Sequence, residues 1–534
     1  MSINFLYSEK FFVILIAAVA ILFNLLPYIR QYQFTPPDKT YVGSLPIFYD
    51  KPTYLSEMVQ GQEGNWKIFN KYTTEPQKEA FVYPFYALMG HIAKMFNTSA
   101  EAIFLIGRFF FGLLLLFVVL YFIRYFINDE YQRRFAYFFA LFSSGLGWLS
   151  LNPESIDRWI PDTIPLVRFS YFPHIMLANI LLLAVILLVY RSFEKECGRK
   201  FFIIGGILSF FLNLVLPFIS IFLYFLVVAL LMILFLKNRV AVKNNFVNIL
   251  IFFVISLPSL FYMYLLGTTD PVWSMVEKQN ILPTPSLINL IAGYGIILIF
   301  GACGLWFLYK EDKIKGIFFS VWIFGVFLLS YIPLWIYPMQ RRFLETAFYV
   351  PLAIAASFGI KGIYQYLKQK QIKDLKLKFI SFFTMFAIPF MLIGNIVNWL
   401  QFSNRIKQTS DPRIYLPDKN IEAMKWLRQN SAENSVVFAS FYNGNVIPYY
   451  ANRFVYVGHG PMTINLEEKM KKGENFYSGK LLTDDVYNFL KKEKIDYVFY
   501  SEEEKKMGKF NPKQYDFLEK VYQNNEAEIY KVKI

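Results

Sequence analysis

A polar segment at positions 34–76 follows the first hydrophobic run of the chain and is rich in carboxylates and aromatic residues. Within it, Asp50 is flanked by apolar and aromatic residues in the stretch PIFYDKPTY. A carboxylate held in such a partly dry place can act as a general base or help to bind a divalent cation. We therefore predict a catalytic site at Asp50. It requires no cofactor, with one Mg²⁺ or Mn²⁺ ion at Asp50 as the open alternative.

Two further carboxylates of this segment are candidate partners for Asp50. The stretch KPTYLSEMVQG indicates a helix, which places Tyr54 and Glu57 on one face. Glu57 lies about two helical turns beyond Asp50, and Glu75 follows in the stretch NKYTTEP. We predict Glu57 and Glu75 as catalytic candidates beside Asp50, and Tyr54 as a substrate contact. A solvated loop surface is the alternative for the carboxylates other than Asp50, and most charges of the later loop at 151–172 are predicted to be solvated.

A second candidate site is the short loop YPMQRRFLE, which holds Arg341 and Arg342 between two hydrophobic runs. Guanidinium groups bind phosphate oxygens in a bidentate manner. We predict that both arginines bind the phosphate of a lipid headgroup, with Gln340 as a helper. The alternatives are arginines that extend to the membrane interface or that pair with Glu345.

The histidines are few and do not follow a metal-binding pattern. His91, His174 and His459 are the three in the chain, and neither an HExxH motif nor paired spacing is present, so no zinc site is predicted. His174 begins the fourth hydrophobic run and is predicted to contact the same phosphate, with packing, an acid–base role or metal binding beside Asp50 as the alternatives. Further predicted substrate contacts are His91, Trp273, Asn445 and His459. No glycine-rich nucleotide-binding motif is present.

The elements that must position these residues are membrane-spanning helices. The 534 residues are 56% hydrophobic and 17% charged, with a mean hydropathy of +0.37, whereas soluble proteins carry about 25% charged residues. Apolar runs of spanning length predict about eleven transmembrane helices. They lie near 11–29, 101–126, 134–150, 173–190, 201–217, 218–236, 246–266, 287–309, 316–336, 346–361 and 379–400.

The distribution of basic residues predicts the orientation of these helices. Lysines and arginines concentrate in the short loops on the same side of the membrane as the N-terminus, such as 310–315 and 361–378. Short loops rich in basic residues are cytoplasmic. This pattern accounts for the net charge of +15 without a nucleic-acid partner. The N-terminus is then cytoplasmic, and the loop at 30–100 and the C-terminus lie outside. Within that loop, 79–96 is predicted to form an amphipathic helix on the membrane surface.

The chain changes character near residue 400. The stretch DKNIEAMKWLRQN predicts an amphipathic helix, SVVFAS, RFVYVG and DYVFY predict short strands, and the C-terminal stretch predicts a hairpin that turns at Asn524 and Asn525. We therefore predict a transmembrane domain at 1–400 and an extracytoplasmic α/β domain at 401–534.

Together these features resemble the GT-C superfamily of polyprenyl-phosphate-sugar-dependent membrane glycosyltransferases. The stretches that carry the resemblance are YDKPTYLSEMVQGQEGNW, NKYTTEP, YPFYALMGHIA, GLGW and GNVIPYYANRFVYVGHG. They look like a bacterial group related to the mannosyl- and arabinosyltransferases of that superfamily. The second acidic residue that many members carry beside the base is absent, because Tyr49 precedes Asp50 and Lys51 follows it.

The resemblance implies a fold, a location and a reaction. The protein would be a multi-pass protein of the bacterial plasma membrane and an inverting glycosyltransferase. Its donor would be a polyprenyl-phosphate sugar, and its acceptor an extracytoplasmic glycan, lipid or protein. Asp50 would be the base and the arginine pair would hold the donor phosphate.

Two other functions stay open at the level of the sequence. One is a transporter or flippase for a lipid-linked glycan, although charged residues within the spans and repeated halves, which are typical of transporters, are not evident. The other is a non-catalytic membrane assembly protein whose C-terminal domain binds a partner.

Overall fold

The computed structural model describes residues 9–43, 49–149, 154–193, 198–237 and 239–533. The apolar residues Ile47 and Phe48, which precede Asp50 in the sequence, lie outside the described residues. Within the described residues, the chain forms two compact units. One comprises 9–27, 106–263 and 282–403, and the other comprises 28–105, 264–281 and 404–533.

Helices dominate the described chain. In order they are α1 Glu9–Phe34, α2 Asp50–Glu63, α3 Pro84–Met95, α4 Ala100–Phe126, α5 Glu130–Phe142, α6 Pro165–Arg168, α7 Pro173–Ser192, α8 Gly198–Val215, α9 Pro217–Lys237, α10 Arg239–Asn244, α11 Phe246–Thr269, α12 Trp273–Gln279, α13 Leu287–Tyr294, α14 Ile296–Glu311, α15 Lys313–Ser330, α16 Tyr349–Gln369, α17 Leu375–Phe382, α18 Ile388–Ile406, α19 Asp418–Asn430, α20 Phe441–Tyr450, α21 Leu466–Tyr477, α22 Thr483–Lys492 and α23 Glu502–Met507. Short 3₁₀ helices lie at Ile156–Arg158, Pro161–Thr163, Gln340–Glu345 and Pro512–Gln514, and a π-helical turn lies at Phe383–Ala387.

Eight helical segments of the described chain are long and apolar enough to cross a membrane: α1, α4, α7, α8, α9, α11, α15 and Met385–Ile406. The pair α13 and α14 adds a ninth if it counts as one span, but it bends by 85° where Gly295 takes a φ of +62°. The apolar run at 134–150 gives only the 13-residue α5, which is about 20 Å long and too short to span. The run at 346–361 lies in α16, which is not among these eight segments and also contains Lys361 and Lys368.

The seven strands of the described chain all belong to the second unit and form two sheets. Strands β1 Lys39–Tyr41 and β2 Tyr415–Pro417 pair antiparallel. The others are β3 Val436–Phe438, β4 Phe454–Val455, β5 Tyr497–Tyr500, β6 Leu518–Gln523 and β7 Glu528–Val532. They form one sheet in the order β4-β3-β5-β7-β6, in which β4, β3 and β5 run parallel. The strands and hairpin predicted for the tail are thus confirmed.

The core of the tail packs against this sheet. It is built from buried aromatic and aliphatic side chains that include Phe438, Tyr456, Phe476, Tyr477 and Val498. These residues come from β3, β5, the chain after β4, and α21. The apolar faces that alternation and helical periodicity indicate in the sequence therefore meet in one core.

Helix α2 of the polar segment and helix α3, which follows that segment, cross at very short range. A methyl group at Gly61 would lie 2.3 Å from the carbonyl oxygen of Ala87, and one at Gly90 would lie 2.0 Å from that of Met58. Only glycine permits this approach of two backbones. One face of α3 is buried, whereas Leu88 and Met95 on the other face are exposed.

Candidate functional site

Asp50 is the first residue of α2, a helix whose two ends are both marked by residues typical of helix termini. Pro52 stands in the first turn, where its missing N–H costs no hydrogen bond. Gly64 ends the helix with a φ of +111°, and its N–H bonds back to the carbonyls of Gln60 and Gly61. The carboxylate of Asp50 is thereby held at the N-terminal end of a rigid helix, and its side chain is 28% exposed.

The partner of Asp50 is His459, which is 409 positions away in the chain. His459 Nε2 lies 3.1 Å from Asp50 Oδ1, and because a carboxylate only accepts hydrogen bonds, the imidazole N–H is the donor. The His459 side chain is 8% exposed. The pair joins a partly solvated carboxylate to a buried ring, an arrangement that can orient a general base.

The loop that carries His459 is fixed on both sides. Thr463 Oγ1 accepts a hydrogen bond from Gly458 N and donates one to the carbonyl of Tyr72, and Thr463 N donates to His459 O. The Tyr72 ring lies edge-on to the His459 ring at 5.9 Å. The imidazole is therefore held in place by the first polar segment as well as by its own loop.

Asn445 fixes the start of α2. Its Nδ2 donates to the carbonyl of Tyr49 at 3.1 Å, and its backbone carbonyl accepts a hydrogen bond from the Tyr72 hydroxyl at 3.1 Å. Asn445 lies in α20 and is buried. The predicted substrate residues Asn445 and His459 are thus brought together around Asp50. Tyr72, which only its aromatic ring distinguishes in the sequence, joins them.

The two predicted carboxylate partners of Asp50 have other surroundings. Glu57 lies in the same helix and is buried, and this burial raises its pKa well above the usual value. Glu75 forms an ion pair with Lys469, with Glu75 Oε1 and Lys469 Nζ 2.8 Å apart, and it accepts a hydrogen bond from Thr73. Burial thus favours the protonated form of Glu57, and Glu75 ties the polar segment to α21.

The remaining substrate candidates of this unit pack against aromatic rings. Tyr54 stacks on Tyr86 with ring centroids 4.5 Å apart. His91 lies over Trp66 at 4.3 Å. Trp273 begins α12, is buried, and contacts the edge of the Tyr83 ring at 5.8 Å. These contacts give each side chain a packing role.

In the other unit, Arg341 and Arg342 share the buried carboxylate of Glu345. Arg342 Nη1 lies 2.7 Å from Glu345 Oε2, and Arg341 Nε lies 3.8 Å from Oε1. The Arg341 guanidinium also lies over the Trp159 ring at 5.0 Å, and that of Arg342 over the Phe218 ring at 4.7 Å. Both guanidinium groups thus contact the same carboxylate.

The predicted helpers of this arginine pair are both buried. Gln340 bridges two backbone segments, because its Oε1 accepts from Thr284 N and its Nε2 donates to Ile332 O. His174 stands at the start of α7, and its ring is stacked near that of Phe172 with centroids 6.0 Å apart. Gln340 thus already uses both ends of its amide to hold the loop.

The loop before α7 corrects the expectation that its charges are solvated, because Asp157, Asp162 and Arg168 are all buried. Asp162 Oδ1 accepts from Asn179 Nδ2 at 3.3 Å. Burial raises the pKa of Asp162 to about 7, although the positive charge of Arg168 opposes this. Arg168 lies over the Tyr349 ring at 4.1 Å and donates to backbone carbonyls. The hydrophilic composition of this loop does not indicate that its charged residues are buried.

The residues around Asp50 do not form a complete metal site. No group of three or more His, Cys, Asp or Glu side chains that could hold a metal ion occurs within the described ranges. Asp50 and His459 supply only two ligands, and their mutual hydrogen bond uses one atom of each. Protein-bound divalent cations generally need more donors than this, so no catalytic step is assigned to a metal.

The whole chain is similar in structure to solved membrane glycosyltransferases. The match with the Archaeoglobus fulgidus oligosaccharyltransferase in the apo form covers 93% of this chain and 70% of that one, with a TM-score of 0.61 and 11% identity. Against ArnT from Cupriavidus metallidurans bound to undecaprenyl phosphate, the match covers 98% of both chains, with a TM-score of 0.56 and 12% identity. Against the arabinofuranosyltransferase AftD from Mycobacteria, it covers 99% of this chain and 42% of that one, with a TM-score of 0.53 and 13% identity.

No protein-family model matches the sequence, and no curated protein matches it either. The three structures are GT-C glycosyltransferases. The chain therefore has the GT-C fold, a multi-span helical membrane architecture with a C-terminal region that contains a sheet. The predicted resemblance is confirmed at the level of the fold.

Proposed function

We propose that this protein is an integral membrane glycosyltransferase that moves a sugar from a polyprenyl-phosphate-linked donor to an extracytoplasmic glycan, lipid or protein. The observation that carries the proposal is the hydrogen bond between Asp50, on the first turn of α2, and His459 in the tail. It lies within a fold shared with enzymes that act on lipid-linked sugars. ArnT was solved bound to undecaprenyl phosphate, and the archaeal enzyme AglB in complex with a dolichol-phosphate.

In this proposal Asp50 is the general base. It removes the proton from an acceptor hydroxyl, whose oxygen then attacks the anomeric carbon of the donor sugar. The bond from that carbon to the phosphate oxygen breaks, and the polyprenyl phosphate leaves with the electron pair. One displacement inverts the anomeric configuration, and one base is enough because the phosphate leaves without protonation. His459 holds the carboxylate in orientation through its N–H.

For Arg341 and Arg342 we propose contact with the phosphate of the donor lipid. Their guanidinium groups lie together at Glu345, and guanidinium groups stabilise a departing phosphate electrostatically. Gln340 supports them indirectly by holding the loop. His174, buried at the start of α7, is proposed as a neighbour of the same headgroup.

The test is transfer from a panel of radiolabelled polyprenyl-phosphate sugars to a membrane extract by purified protein. We expect Asp50→Asn to lower the rate by about 10²- to 10⁴-fold, the usual contribution of a general base. Glu79→Gln is the matched control, because Glu79 is an exposed carboxylate of the same loop at 30–100, and its rate should equal that of the wild type.

Two outcomes would count against this proposal. Undiminished transfer by a folded Asp50→Asn variant would remove the base assignment. Transfer from no member of the donor panel by wild-type protein would remove the donor class.

A further inference from the structure

One face of α3 presents large apolar side chains that the described chain leaves uncovered. Leu88, Met95 and Phe96 are 45%, 71% and 65% exposed. Leu88 and Met95 are about two helical turns apart and therefore lie on the same face of the helix, and Phe96 follows directly after its last residue. Single exposed apolar residues are ordinary on a protein surface, but a group on one helix face marks an interaction surface.

An exposed tryptophan extends this face beyond α3. Trp66 is 47% exposed, and its ring lies over that of His91, with centroids 4.3 Å apart. His91 lies between Leu88 and Met95 in α3. An indole ring combines an apolar body with a polar N–H, which suits it to the depth of lipid headgroups. Trp66, Leu88, His91, Met95 and Phe96 together are called the apolar face.

The apolar face is fixed in its outward direction. The opposite side of α3 is buried, and its backbone meets that of α2 where Gly61 and Gly90 permit close approach. Turning the apolar face inward would require this backbone contact to break. A lasting cover for the face must therefore come from outside the chain that the structure describes.

Two lysines border the apolar face. Lys67 follows Trp66 and Lys94 precedes Met95, and both are exposed. A methyl group at Gly64 would lie 3.6 Å from Lys94 Nζ, so this ammonium group lies beside the C-terminus of α2, which carries partial negative charge. The nearby carboxylate of Glu63 is paired with Arg428 at 3.2 Å. Apolar residues bordered by lysines are typical of helices that lie in a membrane interface, where the lysines reach lipid phosphates.

The path of the chain brings the end of α3 close to a membrane. Helix α4, which is long and apolar enough to span, begins at Ala100, and only residues 96–99 separate it from α3. Such a link covers at most roughly 19 Å. Here it is shorter, because Asn97 N donates to Lys94 O and Thr98 N donates to Ala93 O. The C-terminal end of α3 therefore lies near the point where α4 enters the bilayer.

We propose that the apolar face of α3 inserts into the interfacial layer of the bilayer and that Lys67 and Lys94 contact lipid phosphates there. The inference goes beyond the proposed function and does not depend on it, because it concerns lipid contact and not sugar transfer. Its consequence for the site is positional. The bilayer holds α3, and the backbone contact of α3 with α2 holds the helix whose first residue is Asp50.

The experiment measures where the apolar face lies in the full-length protein, reconstituted in lipid nanodiscs. In a background without Cys197 and Cys303, a nitroxide is attached to Leu88→Cys or to Met95→Cys. Electron paramagnetic resonance then compares its collisions with oxygen, which partitions into lipid, and with a water-soluble nickel chelate. We expect collisions with oxygen to dominate for both variants. Lys480→Cys, at an exposed position of the tail, is the matched control and should collide mainly with the nickel chelate.

The lysine contacts are tested in nanodiscs of phosphatidylcholine alone and of phosphatidylcholine mixed with phosphatidylglycerol. Because each lysine near an anionic surface is attracted to it, replacing Lys67 and Lys94 together by Gln should shift the oxygen-to-nickel collision ratio of Met95→Cys towards that of Lys480→Cys. The shift should be larger with phosphatidylglycerol. Replacing Lys491 and Lys492, two exposed lysines in α22, by Gln is the control for charge and should leave the ratio unchanged.

The inference is overturned if the labels on Leu88→Cys and Met95→Cys meet the nickel chelate as often as the label on Lys480→Cys, because the face then lies in water. It is also overturned if neither reagent reaches these labels, because a second copy or another protein then covers the face. A collision ratio that replacing Lys67 and Lys94 leaves unchanged in both kinds of nanodisc overturns the phosphate contacts.

Discussion

At the residue scale, the chemistry proposed for this protein depends on how one carboxylate is oriented. Asp50 is partly exposed, and His459 is buried and held by its own loop and by Tyr72. A base with one oxygen fixed in this way keeps the other available for an acceptor hydroxyl. Glu57, which the sequence offers as a second carboxylate, is instead buried in the same helix, and this burial raises its pKa.

The role of His459 can be separated from that of Asp50 by substitution. We expect His459→Ala to lower the transfer rate by about 10- to 100-fold, the loss typical of a displaced catalytic group. His459→Gln should recover part of this rate, because a glutamine amide can still donate to Asp50. Steady-state kinetics on both variants would check this, with kcat rather than KM expected to change. Equal rates for the alanine and glutamine variants would argue against a positioning hydrogen bond.

At the element scale, two structural devices hold the site. The first is the close crossing of α2 and α3, which Gly61 and Gly90 permit. The second is the parallel part of the tail sheet. Open α/β sheets commonly bind ligands at the carboxyl ends of their strands, where the strand order reverses. Here this crevice between β3 and β5 is filled by the chain itself.

The side chains that fill the crevice form a closed network around Glu504. Its carboxylate accepts hydrogen bonds from Ser440 N, Asn443 Nδ2, Ser501 N and Ser501 Oγ, and all four residues are buried. The loop that carries His459 instead follows the edge strand β4. The sheet thus acts as a support for the loop.

The crossing of α2 and α3 gives a stability prediction. Gly90→Ala places a methyl group against the carbonyl of Met58, so we expect it to destabilise the protein by about 1–3 kcal/mol through overpacking. Gly473→Ala is the matched control, since Gly473 lies in α21 with its nearest neighbour at 3.9 Å. It should be neutral or gain about 0.5–1 kcal/mol. Thermal unfolding in detergent measures both, and equal melting temperatures would refute the tight crossing.

At the scale of the whole molecule, the GT-C fold accounts for a helical membrane part and a compact C-terminal region in one chain. Structural similarity extends over 98% of the chain in the comparison with ArnT at 12% identity. An architecture can persist at such low identity because it needs only apolar spans and a patterned core. Specific chemistry needs particular side chains, which is why the site is argued from this chain's own residues.

The orientation that the basic loops predict for the whole molecule can be tested with cysteine labelling. In a background without Cys197 and Cys303, Lys480→Cys in the tail should react with a membrane-impermeant maleimide added to intact cells. Lys373→Cys, in the loop after α16, should react only after permeabilisation. Both positions are exposed. Labelling of Lys373→Cys in intact cells would contradict the cytoplasmic placement of the N-terminus.

The sequence by itself determined the class of the molecule and most of its elements. Long apolar runs indicate membrane helices because a bilayer demands them, and alternating patterns in the tail predicted β3, β5 and the final hairpin because local periodicity reports a buried face. The sequence also singled out Asp50, since a carboxylate among apolar residues is unusual. The bend at Gly295 and the shortness of α5 were not evident, because apolar composition alone does not show where a helix ends.

Only the tertiary structure decided which residues act together. The contacts of Asp50 with His459, and of Tyr49 with Asn445, each join positions about 400 residues apart, and no local pattern encodes such pairs. Burial likewise depends on packing, so Asp162, which looked like a solvated loop residue, lies in a buried network. Local physics fixes helices and strands, whereas the environment of a charge is set by whatever the rest of the chain places around it.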